Sequence, residues 1–115
     1  MKTVVFKSVL EALGGIADAQ RVIIEIRSQG GRDPRLGRGG AFTLATNDGY
    51  VLTVRPASGR GEWKIELEHK RRSAVDTGIV GQVREYLEAK ASFGGHQFHG
   101  DGRMHEFFFS GELSD

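Results

Sequence analysis

The stretch Phe42-Thr43-Leu44-Ala45-Thr46-Asn47-Asp48-Gly49-Tyr50-Val51-Leu52-Thr53-Val54 decides how this chain folds. Apolar and small or polar side chains alternate on both sides of Asn47-Asp48-Gly49, which is the period of a sheet. A two-residue Asp-Gly turn would put Phe42 and Leu44 on the face opposite Leu52 and Val54. A three-residue loop pairs Leu44 with Leu52 and Phe42 with Val54, so the large apolar groups share one side. A slip of one residue flips a whole strand, and burial therefore selects the longer loop. Gly49 then takes the left-handed position such loops need.

The same side continues downstream. Trp63, Ile65, Leu67 and His69 face one way, while Lys64, Glu66, Glu68 and Lys70 face water. After a loop at Pro56 to Gly61, the expected pairs are Val54 with Trp63, Leu52 with Ile65 and Tyr50 with Leu67. Strands are thus predicted over 41–46, 50–56 and 62–70.

Upstream, Phe6, Val9, Leu10, Leu13, Ile16 and Ala17 recur at helical spacing, and Ser8 with Glu11 forms a capping box. A helix is predicted over about 8–19, bent or stopped near Gly14-Gly15, with a short strand at Val4 to Lys7 before it. Val22, Ile24 and Ile26 alternate with charged residues and predict a first long strand over 21–28, with Ile23 as the exception on its wet face. After Arg72, Asp76 caps a helix over 77–92 that buries Ile79, Val80, Val83, Tyr86 and Leu87 and stops at Gly94. A hairpin over 96–109 turns at Asp101-Gly102. It groups His96, Phe98, His105, Phe107 and Phe109 on one face and Gln97, His99, Met104, Glu106 and Phe108 on the other.

The fold class is therefore α+β: a four-stranded antiparallel meander, two helices on its apolar face and a C-terminal β-hairpin, in a single domain spanning 1–115. In outline the order helix, meander, helix resembles the double-stranded-RNA-binding domain. At the motif level the likeness fails. Arg71-Arg72-Ser73-Ala74-Val75-Asp76 has neither the glycines nor the clustered lysines that open that family's last helix.

Net charge is +1, but it is unevenly spread. Residues 20–72 hold eleven Lys/Arg against six Asp/Glu, while the rest of the chain holds five against nine. There is no cysteine, which excludes disulfides, thiol nucleophiles and thiolate metal sites. Met1 to Lys7 is too short and too quickly recharged for a signal peptide, and no apolar run reaches a membrane span. A soluble cytoplasmic protein is the default.

The biased stretch Gly30 to Gly40 holds most of the functional interest. Its glycines let backbone amides approach an anion, and Arg32, Arg35 and Arg38 supply forked donors. It reads as a mobile loop between two strands. With Arg55, Arg60, Lys70, Arg71 and Arg72 it predicts a basic rim for phosphates or an acidic protein surface. It is no Walker loop, since it opens a strand and lacks Gly-Lys-Ser/Thr. His96 and His105 are diagonal neighbours and the candidate metal pair, while His99 points away. A strand-end His69 near Arg71 is most simply bonded to backbone. Glu66 and Glu68 read as a solvated face rather than an acid–base pair. No serine sits in a nucleophile elbow. Met104, Phe107, Phe108 and Phe109 are candidates for a dimer interface through the hairpin.

No catalytic residue and no cofactor is assigned. Three functions follow as expectations. The first is a non-enzymatic module engaging nucleic acid, a nucleoprotein or an acidic protein, for instance an inhibitor of a nucleic-acid-processing complex. The second is a metal or small-ligand protein using the histidine hairpin, and the third is a homodimer subunit.

Overall fold

The computed structural model describes residues 3–30 and 32–113. Met1 and Lys2 of the N-terminal reading and Gly31 of the Gly/Arg stretch lie outside the described residues.

A six-stranded sheet carries all its helices on one face. Strand β1 (Thr3–Phe6) leads into helices α1 (Val9–Gly14) and α2 (Ile16–Ser28). The hairpin strands β2 (Phe42–Thr46) and β3 (Tyr50–Pro56) follow, then β4 (Glu62–His69), helix α3 (Thr77–Lys90), and strands β5 (Ser92–His99) and β6 (Met104–Ser110). The spatial order is β1-β2-β3-β4-β6-β5. Strand β1 is parallel to β2, and every other pair is antiparallel. The α+β class holds, but the meander has three strands and the C-terminal hairpin joins it through β6.

The missing meander strand is the main correction. Residues 21–28 are the second half of helix α2. Val22, Ile24 and Ile26 do alternate, but Ile16, Ala19, Gln20, Ile23 and Ile26 also repeat at three and four residues, and these are the buried ones. Ile23, the misfit in the strand reading, is fully buried. Gln20 is buried with them, and it donates to the Gly111 carbonyl at 2.9 Å and accepts from the Leu113 amide at 2.7 Å. The predicted bend falls at Gly15, which ends α1. A Cβ there would meet the Phe6 ring at 2.6 Å.

The β2–β3 register is the one burial selects: Phe42 opposes Val54 and Leu44 opposes Leu52, with Gly49 at φ +100°. Strand β4 is shifted by two residues from expectation. Val54 opposes Ile65, Leu52 opposes Leu67 and Tyr50 opposes His69. A shift of two keeps every side chain on its face, so alternation is blind to it.

Ser8 and Asp76 cap their helices as read, Ser8 Oγ accepting from the Glu11 amide and Asp76 Oδ1 from Gly78. Helix α3 ends at Lys90 because Ala91 is already extended; Gly94 lies in β5, beside a bulge. In the hairpin Phe98 opposes His105 and His96 opposes Phe107, as expected. Strand β6 is interior, so Phe107 and Phe109 are fully buried in the core shared by the helices and the sheet. They are therefore not interface side chains, and the aromatic run has an internal use. Met104 and Phe108 lie on the opposite, open face and are half-buried. Among the described residues no helix is long and apolar enough to cross a membrane.

Candidate functional site

Antiparallel topology sorts the predicted basic rim into two groups. Arg32, Arg35, Arg38, Arg55 and Arg60 stand at the end where β2 and β4 begin. Lys70, Arg71 and Arg72 stand where β4 finishes. The length of β4 separates them, roughly 24 Å at about 3.4 Å per residue.

The first group is partly neutralised. Arg35 grips Asp33 with both arms, at 2.9 and 2.7 Å, and its hydrogen bonds hold the Asp33 carboxyl down at about 2. Arg55 pairs with Glu66 at 2.9 Å. The Gly/Arg stretch joins a helix to a strand, not two strands. It is folded on itself by a 3-10 turn at Arg38–Gly40 and by a bond from the Gly37 amide to the Ala41 carbonyl at 2.8 Å. Arg32 and Arg38, on the Gly/Arg stretch, and Arg60, on the β3–β4 loop, remain exposed.

The second group is built differently. His69 closes β4. Its Nδ1 accepts from the Arg71 and Arg72 amides at 3.1 Å each, which leaves the ring hydrogen on Nε2 to donate to the Asp48 carbonyl at 2.7 Å. Tyr50 meets the ring edge-on at 4.7 Å. This is the backbone-bonded role expected of a strand-end histidine. The turn it imposes throws Lys70, Arg71 and Arg72 outward. The Val75 amide then donates to Gly102 at 2.9 Å, which docks the β5–β6 turn and brings up Arg103. Lys70, Arg71, Arg72 and Arg103 line one depression of about 570 Å³, in which Glu68 is the one acid. Among the described residues none of these four cations is in an ion pair; Arg71 only reaches the Asp48 carbonyl, at 3.5 Å. Nothing local in the sequence marks Arg103, because its place depends on β6 pairing with β4, Met104 opposite Glu68, and on the Val75–Gly102 bond.

The open sheet face carries a row of charges across four strands. Arg55 and Lys64 bind Glu66, Lys64 also binds Glu106 at 2.8 Å, and Glu106 binds His99 at 2.5 Å. Lys64 and then His99 hold the Glu106 carboxyl below its usual range, and Glu106 in turn raises the Lys64 ammonium. Each carboxylate in the row is already satisfied by cations, a poor arrangement for a general base.

His96 and His105 do come together, and His99 does lie on the other face. His105 Nδ1 stands 2.8 Å from His96 Nε2. One imidazole therefore donates to the other, and burial is the main cause lowering both from the ordinary histidine value. Among the described residues no group of three or more His, Cys, Asp or Glu side chains is placed to hold a metal.

No protein-family model, no curated protein and no solved structure matches this chain.

Proposed function

We propose that this chain is a non-enzymatic binding module that engages an anionic partner through the depression formed by Lys70, Arg71, Arg72 and Arg103. One observation carries the reading: four cations from two separate connections converge on one concave surface with Glu68 as the one acid beside them, and among the described residues none of the four is in an ion pair. Like charges held together repel, and an anionic ligand relieves that repulsion while releasing its own counterions. The net charge of +1 makes this a local, directional attraction and not a generally sticky surface.

The test is retention on a sulfated polyanion column and its dependence on salt. Wild type is retained and elutes at a defined ionic strength. Changing Arg71, Arg72 and Arg103 to alanine abolishes retention near physiological salt. Changing Arg32, Arg35 and Arg38 to alanine has the smaller effect, because Arg35 is already paired and the loop lies at the far end of β4. Equal losses from both triple variants, or retention indifferent to salt, would reject this site.

A further inference from the structure

A second depression adjoins the cationic one. It measures about 360 Å³ and is lined mainly by Val75, Val80, His96, Phe98 and His105, with Asp101 as its one acid. The two share a wall. Ser73 and Arg103 line the cationic side, while their chain neighbours Ala74 and Gly102 line the other, one backbone step of about 3.8 Å away. The wall is tied across by the Val75 amide, which donates to the Gly102 carbonyl at 2.9 Å.

Phe98 is the unusual member. A lone exposed apolar side chain is ordinary. Phe98, however, is 65% exposed at the end of a row of rings. Its centroid lies 5.9 Å from His105 and 6.4 Å from His96, and His96 in turn stacks on Phe107 at 4.6 Å and 5°. The row begins in the core and ends at a largely exposed ring tilted by 34° against His105. A flat aromatic group would extend it, and a cavity of this size is within the range that small ligand groups occupy.

We infer that the two depressions together hold one nucleotide unit, its phosphate among Lys70, Arg71, Arg72 and Arg103 and its base against Phe98 and the histidine pair. This rests on the anion-binding reading above and specifies its ligand. Asp101 fixes the orientation. Its carboxylate repels a phosphate from the aromatic side and accepts from the exocyclic amino group of a base. A stacking face beside a basic groove is also how single strands are held without strict sequence readout. An acidic peptide would satisfy only the basic half.

The experiment is fluorescence anisotropy of the full chain with a labelled single-stranded eight-nucleotide probe. Phe98→Ala is expected to weaken binding by about 5- to 150-fold, with the salt slope unchanged. Arg72→Ala with Arg103→Ala reduces the slope by about one to one and a half. An abasic probe of equal length binds wild type more weakly by the same factor as Phe98→Ala, a comparison that needs no variant to fold. A mononucleotide that competes fully identifies a free nucleotide as the ligand, and competition by the strand alone identifies a nucleic acid; either supports the inference. It is overturned if the abasic probe binds as well as the intact one, if Phe98→Ala changes nothing, or if a duplex or polyglutamate competes equally. In those cases a salt-dependent affinity lost in the arginine variant leaves anion binding standing. If no polyanion shows such affinity, both readings fall.

Discussion

Gly49→Ala is the most incisive single perturbation, because it tests the knot that presents the basic site. Gly49 sits at φ +100°, where an L side chain is strained by about 1–2 kcal/mol. Its new methyl would also stand 2.7 Å from Cε1 and 2.8 Å from Nε2 of the His69 ring. No Cβ tolerates that approach, so the ring must move. It is held by its bond to Asp48, by the Arg71 and Arg72 amides and by the edge of Tyr50. Losing one or two of these bonds adds about 1–2 kcal/mol. The expected cost is about 2–4 kcal/mol, or a fall in melting temperature on the order of 8–16 °C for a domain of this size. Urea and thermal unfolding followed by circular dichroism measure it. A double-mutant cycle with His69→Ala isolates the steric part: without the ring, the Gly49→Ala cost shrinks to its backbone share of about 1–2 kcal/mol. A cost below about 0.5 kcal/mol, or an undiminished cost in the His69→Ala background, would refute the packing account.

The other predictions are independent of that knot. Gly14→Ala, at a helical position with nothing within 4 Å of the added Cβ, should raise stability by up to about 1 kcal/mol in the same assay. Gln20→Ala removes both bonds to the C-terminal segment and should cost about 1–3 kcal/mol, with faster amide exchange at Leu113. His96 and His105 are both lowered in the folded state, so below the ordinary histidine value the unfolded chain binds more protons. Stability should therefore fall as pH drops from 7 towards 5. Replacing both with glutamine should flatten that slope in pH-dependent urea titrations.

Local chemistry and alternation were enough to read several parts of this chain. Ser8 and Asp76 mark helix starts because each supplies an oxygen to an amide two or three residues away. The β2–β3 and β5–β6 registers follow from short loops, where one choice alone keeps Phe42, Leu44, Leu52 and Val54, or His96 and Phe107, on a common side. His69 was legible as a strand-end residue bonded to backbone.

Other features depend on partners distant in the chain. Residues 21–28 satisfy both a two-residue and a helical period, and only the sheet beneath them makes Ile23 and Ile26 the buried set. The β4 register slips by two with no change of face, so alternation does not fix it; the β3–β4 loop closes through the Ala57 amide to the Glu62 carbonyl. Likewise, basic residues that look like one rim belong to opposite ends of the sheet, because strand direction and not sequence proximity sets their separation. Arg103 joins Lys70, Arg71 and Arg72 because β6 pairs with β4, Met104 opposite Glu68, and the Val75 amide bonds the Gly102 carbonyl. Periodicity reports which way a side chain faces, while the meeting of distant segments is settled by which arrangement buries the shared core.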